Sequence, residues 1–203
     1  PITMELGGHS PVIVFEDAEV EKAAKMLARF KIRNAGQVCV SPTRFYIHEA
    51  VFEPFKEVFT NTLAKINVGD GLTEGTDMGP LAHERRVDTM RQFVQDATER
   101  GGKVLLGGNS NESAGFYYSP TVLIDVPQDA LIMNEEPFGP IAPLVPFTDY
   151  AEVFREANRL PYGLSSYVFT NSLQTAHLAS TEIEAGMVNI NHFGSSLPET
   201  PFG

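Results

Sequence analysis

Cys39 is the only cysteine among the 203 residues, and it stands in the run Arg33-Asn34-Ala35-Gly36-Gln37-Val38-Cys39-Val40. A lone cysteine has no intrachain disulfide partner, so its value lies in packing or in reactivity. Small, flexible residues on its N-terminal side let backbone or ligand approach the sulfur closely. A thiolate nucleophile needs such access, together with a base or a positive environment that ionises it. One carboxylate lies upstream, in Met4-Glu5-Leu6-Gly7-Gly8. The five histidines (His9, His48, His83, His177 and His192) show no metal-ligand spacing to one another or to Cys39, so no metal is expected. A Cys–His hydrolase is the alternative enzyme, with His192 as partner.

Four segments carry a family resemblance. They are Glu5-Leu6-Gly7-Gly8, Asn34 to Cys39 in the pattern Asn-x-Gly-Gln-x-Cys, Glu136-Pro137-Phe138-Gly139-Pro140, and the closing Pro201-Phe202-Gly203. In this order and with this spacing the chain resembles the aldehyde dehydrogenase superfamily over essentially its whole length. The resemblance implies Cys39 as the nucleophile and Glu5 as general base for the thiol, for the deacylating water, or for both. A thiol suits aldehyde oxidation because it turns the flat carbonyl into a tetrahedral adduct able to release hydride, and then leaves an activated thioester. The backbone N–H of Cys39 supplies one donor to the developing oxyanion. Glu5 also points to hydrolytic, acid-forming chemistry, since family members that pass the acyl group to coenzyme A commonly lack it.

The same resemblance puts Glu136 on the nicotinamide ribose of NAD or NADP and Phe138 beside the nicotinamide, with Gly7 leaving room for the cofactor. The fixed spacing to Phe138 and Gly139 selects Glu136 over its neighbour Glu135. Lys31-Ile32-Arg33-Asn34-Ala35-Gly36-Gln37 is similar to the Lys-Phe-Arg-Asn-Ala-Gly-Gln of succinate-semialdehyde dehydrogenases. That similarity implies that Arg33 clamps a carboxylate at the far end of a semialdehyde, as a guanidinium fork does well. Ser195 and Ser196 would add hydroxyl donors to the same carboxylate. Ile32 departs from the Phe of those relatives, and Val38, Val40 and Ser41 replace the second cysteine that others carry near the nucleophile. A catalytically silent interaction domain is the alternative outside enzymes.

Length and composition bound the setting. Net charge of −11 argues against a nucleic-acid partner, whose binding rests on Lys and Arg neutralising phosphates. No apolar run approaches the roughly 20 residues that span a bilayer, and no signal peptide is visible at the start, so no membrane partner is expected. A single cysteine fits a reducing, cytoplasmic compartment. The chain starts at Pro1 and stops at Gly203 inside a motif, and no Gly-x-Gly-x-x-Gly fingerprint occurs in it. It therefore reads as a catalytic domain, residues 1–203, cut from a longer homo-oligomeric protein whose cofactor-binding and oligomerisation segments lie elsewhere. Such a piece is expected to fold but not to turn over NAD alone.

The elements that must position these residues alternate. Residues 11–15, 45–47, 104–106, 116–126, 141–147, 167–169 and 187–190 read as strands, the fifth of them pushed to an edge by its prolines. Asp17 reads as the cap of a helix carrying Val20, Ala24, Leu27 and Phe30. Further helices follow Phe52, Val87, Asp149 and Leu173, and residues 67–80 form a glycine-rich loop. Strands alternating with helices predict a three-layer α/β domain around a mainly parallel sheet.

Overall fold

The protein is represented by a computed structural model, and the residues described are all but Pro1, Thr3, Glu5, residues 110–114, Ser195, Ser196, Pro201 and Gly203. The β-branched and aromatic runs form β1 (Ser10–Val14), β2 (Pro42–His48), β3 (Lys103–Leu106), β4 (Thr121–Ile124), β5 (Ile141–Phe147), β6 (Ser165–Phe169) and β7 (Met187–Ile190). They make one sheet in the order β3-β4-β5-β2-β1-β6-β7, parallel throughout except for the antiparallel β3–β4 edge. The interior strand β1 is buried along its whole length, as expected of a parallel strand covered on both faces.

Helices α1 (Val20–Ile32), α2 (Glu49–Leu63), α3 (Glu84–Glu99), α4 (Leu131–Asn134), α5 (Tyr150–Asn158) and α6 (Leu173–Glu182) connect the strands. The chain steps from β1 through α1 to β2 in one direction, and from β5 through α5 to β6 in the other. Right-handed crossovers in opposite directions put α1 and α2 on one face and α5 and α6 on the other. Side-chain alternation along β2 agrees: Phe45 packs edge-on against Phe59 of α2, while the next residue, Tyr46, faces the layer that holds α5. Phe15 gathers Phe147, Tyr150 and Phe154 on that second side.

Two local expectations are corrected. Asp17 does not cap α1, whose N-cap is Glu19. Its carboxylate instead accepts from the Thr170 hydroxyl at 2.8 Å and the Asn171 amide at 3.0 Å, tying the end of β1 to the end of β6. β5 is not an edge strand but lies between β4 and β2. Its prolines are tolerated because Pro143 stands in register only with β4 and Pro146 only with β2, so each ladder loses a single donor. Asp149 does cap α5, accepting from the Glu152 amide at 2.7 Å.

α1 ends on a residue that periodicity alone does not single out. Lys31 is wholly buried, and its ammonium donates to the Pro42 carbonyl at 2.9 Å. Burial pushes the amine down to about 7, opposed by the Glu136 carboxylate, so at neutral pH the folded chain holds it close to half-charged. An unfolded lysine still keeps its proton well above that pH, so folding releases a proton and stability rises with pH across this window. Chemical denaturation of the unaltered chain and of Lys31→Met between pH 7.5 and 9.5 tests this. The unaltered chain is expected to gain on the variant by up to about 1.4 kcal/mol per pH unit. Parallel pH profiles would show that Lys31 stays charged in the fold.

Candidate active site

Three of the four segments singled out in the sequence lie just before β1, β2 and β5, three neighbouring parallel strands, so they come together at one end of the sheet. That is the amino end of the strands, whereas ligands of open α/β sheets usually sit at the carboxyl end. Three backbone stretches far apart in sequence thereby meet. Gly8 donates its N–H to Glu136 Oε1 at 2.9 Å, and a Cβ on Gly8 would strike the Cys39 carbonyl oxygen. A Cβ on Gly7 would stand 2.5 Å from Glu136 Oε2.

The loop that carries Cys39 is a left-handed turn after α1. Asn34, Ala35 and Gly36 have φ of 49°, 53° and 73°, a conformation that costs Ala35 roughly 1–2 kcal/mol and that Asn and Gly adopt more readily. The flanking amides close the turn reciprocally: Asn34 Nδ2 donates to the Gln37 carbonyl at 3.0 Å, and Gln37 Nε2 donates to the Asn34 carbonyl at 3.2 Å. Gln37 Oε1 then accepts from the Ala82 amide at 2.9 Å, anchoring the loop to the start of α3. At Gly36 any side chain would collide with the Gly139 carbonyl, so the Cys39 loop packs directly on the segment leading into β5. Downstream, Tyr167 Oη donates to the Val40 carbonyl at 2.6 Å. Cys39 itself is half-buried, in a turn closed by the Ser41 amide on the Val38 carbonyl at 2.9 Å.

Most of the residues singled out beforehand can now be placed. Glu136 is half-buried with one oxygen engaged by Gly8, while Glu135 points outward and is exposed. Phe138 holds a positive φ of 45°, and the Arg86 guanidinium lies 5.6 Å from its ring centre. Arg33 follows the last turn of α1, is exposed, and enters no ion pair among the described residues. Glu5, Ser195 and Ser196 lie outside the described residues. His192 is exposed and its Nδ1 accepts from the Gly194 amide of its own loop at 2.7 Å. His9 is buried beside the site with Nδ1 2.7 Å from the Thr43 hydroxyl, and burial pushes it down to about 2, so it stays neutral. No group of three or more metal-ligating side chains occurs among the described residues.

Sequence reasoning missed Lys31, Tyr167 and Arg86, and it gave Asn34 and Gln37 no role. The signal for the last two was present: paired amides three residues apart around a glycine can close a turn on itself. Lys31, Tyr167 and Arg86 act through long-range packing that spacing does not show. One fit to a dinucleotide is visible: Glu136 keeps a second oxygen beside the side-chain-free Gly7, so a hydroxyl-bearing group can approach it.

The model of the aldehyde dehydrogenase family matches residues 1–203. The chain is 39% identical over 202 residues to succinate-semialdehyde dehydrogenase [NADP(+)] GabD of Escherichia coli (strain K12), covering all of this chain and 42% of that protein. It is 40% identical over 202 residues to 4-(hydroxymethyl)benzenesulfonate dehydrogenase TsaD1 of Comamonas testosteroni, with the same coverage. Among solved structures, succinate-semialdehyde dehydrogenase from Burkholderia pseudomallei superposes with a TM-score of 0.96 at 36% identity, over 99% of this chain and 42% of that one. The chain thus spans about two fifths of the length of the relatives it matches. Its fold, its motif order and the match along its full length agree: the chain belongs to the aldehyde dehydrogenase family.

Proposed function

We propose that residues 1–203 are the thiol-bearing catalytic unit of an enzyme that oxidises aldehydes with a distal anionic group to carboxylic acids, using NAD or NADP. The observation that carries this reading is the convergence of Gly8, Glu136 and the Cys39 loop at one end of the sheet. Cys39 Sγ adds to the aldehyde carbon, and its own backbone N–H stabilises the oxyanion of the adduct. Glu136 and Phe138 would hold the ribose and the nicotinamide, and the dinucleotide when bound supplies the hydride acceptor. Loss of hydride leaves a thioester on Cys39. Glu5 takes a proton from water, which attacks the thioester carbon, releasing the acid and restoring the thiol.

The anionic end of the substrate is supported by two relatives of different chemistry. One is named for a semialdehyde of a dicarboxylic acid and the other for a benzenesulfonate, and both names describe a molecule with an anion away from the reacting carbon. Arg33, exposed and outside any described ion pair near the Cys39 turn, is the side chain suited to that anion, with Ser195 and Ser196 as hydroxyl donors. The chemistry involves a small aldehyde and no nucleic acid, membrane or metal.

Two measurements test the assignment. In the full-length protein carrying this chain, Cys39→Ala is expected to abolish NAD(P)H formation from succinate semialdehyde; unchanged turnover would sink the nucleophile. Arg33→Ala is expected to lose about 2–3 kcal/mol of transition-state stabilisation, roughly 30–150-fold in kcat/KM, on succinate semialdehyde. Its loss on butyraldehyde should be far smaller. Equal losses on both aldehydes would make Arg33 a structural residue.

A further inference from the structure

Tyr167, in the middle of β6, is wholly buried, yet its hydroxyl reaches the turn that carries Cys39 by donating to the Val40 carbonyl at 2.6 Å. Two rings hold the phenol edge-on: Phe30 of α1 at 5.6 Å between centres, and Phe193, just after β7, at 5.5 Å. Those two rings stack on each other at 4.5 Å and 13°. A side chain packed in this way is aimed by the core and not by the loop it touches.

Each peptide plane around Cys39 is pinned by a different contact. In the Val38–Cys39 peptide, the Val38 carbonyl accepts from the Ser41 amide at 2.9 Å. In the Cys39–Val40 peptide, the Cys39 carbonyl lies against Gly8. In the Val40–Ser41 peptide, the Val40 carbonyl accepts from Tyr167, and the N–H of the same plane is the one that closes the turn on Val38. A peptide unit is rigid, so holding the Val40 carbonyl also aims the Ser41 N–H at Val38. That bond sets the tilt of the Val38–Cys39 plane, and with it the direction of the Cys39 N–H. The Cys39 N–H finds no acceptor among the described residues, which leaves it available to a developing oxyanion.

We propose that Tyr167 is a positioning residue for Cys39: through the Val40 carbonyl it holds the Cys39 N–H in the direction an oxyanion needs when the thiol adds to a carbonyl carbon. This rests on Cys39 being the nucleophile of the proposed function, and not on the oxidation that follows. The hydroxyl touches no reacting atom, so its effect is confined to reactions that build negative charge on oxygen. Attack on a carbonyl does so, because the new S–C bond pushes the π pair of the C=O bond onto its oxygen. Displacement of iodide from an alkyl iodide does not. A residue that only supports the fold, or only exposes the sulfur, would alter both reactions alike.

The test compares two reagents on Cys39 in the full-length protein carrying this chain, without cofactor, with the label located by mass spectrometry. p-Nitrophenyl acetate transfers its acetyl group to Cys39 Sγ, p-nitrophenolate leaves, and the thiol proton passes to solvent. Iodoacetamide alkylates the same sulfur with loss of iodide. Tyr167→Phe is expected to slow acetylation of Cys39 about tenfold, less than the loss of a whole oxyanion donor, and to leave alkylation within about twofold. In the same variant the Ser41 amide should exchange with solvent faster, while the amides of Val12, Ile13 and Val14 in β1 stay protected. Acetylation at the unaltered rate, equal slowing of both reagents, or an unchanged Ser41 amide would each overturn the proposal. Failure of the proposed oxidation would show separately, as an absence of NAD(P)H formation with the difference between the two reagents intact.

Discussion

Backbone contacting backbone without intervening side chains is the constraint on which the site depends. At Gly8 the chain entering β1 lies against the Cys39 carbonyl, and at Gly36 the chain leaving α1 lies against the Gly139 carbonyl. A single methyl group at either position would force these stretches apart, and at Gly36 the positive φ adds a second reason for glycine. The Gly8 N–H, brought in by that approach, then fixes the Glu136 carboxylate. Three segments separated by as many as 128 positions are held in one arrangement by two close backbone approaches and one amide–carboxylate bond.

The sheet order explains why such contacts are possible. β5, β2 and β1 are adjacent and parallel, so the loops that precede them emerge side by side. The Cys39 loop reaches its neighbours only by adopting a left-handed turn, and the crossed amides of Asn34 and Gln37 offset part of its strain. Below it, Lys31 fastens the end of α1 to the first residue of β2 through the Pro42 carbonyl. Placing the chemistry at the amino ends leaves the carboxyl ends free. At the amino ends Arg44 also ties the last turn of α5 to the residue before β1, donating to the His9, Glu156 and Ala157 carbonyls.

Much of this was legible in the sequence, for physical reasons that differ by element. Buried parallel strands are short apolar runs, so β1, β2, β5 and β6 were legible, whereas the reading of 116–126 overran β4, and alternation with amphipathic helices implied the α/β class. Asp149 was readable as a cap because the signal is local, while Asp17 was misread because its partners, Thr170 and Asn171, are more than 150 residues away. The prolines of β5 suggested an edge because composition cannot show which neighbour each residue faces. The family motif selected Glu136 over Glu135 where the residues by themselves read as an exposed acidic pair, and the structure sets Glu136 against Gly7 and Gly8. Lys31, Arg44 and Tyr46 were invisible as a group: a charged or polar residue in a strand or at a helix end reads as surface until its burial is known.

The account stands on the Gly8 amide being held by Glu136 next to the Cys39 carbonyl, and hydrogen exchange at that one amide reads it directly. In the unaltered chain the Gly8 N–H is predicted to exchange at least about tenfold more slowly than in an unstructured peptide. Glu136→Ala should release it to fast exchange while the amides of Val12, Ile13 and Val14 in β1 stay protected. A Gly8 amide that exchanges at the unstructured rate, or one whose protection survives Glu136→Ala, would contradict the account.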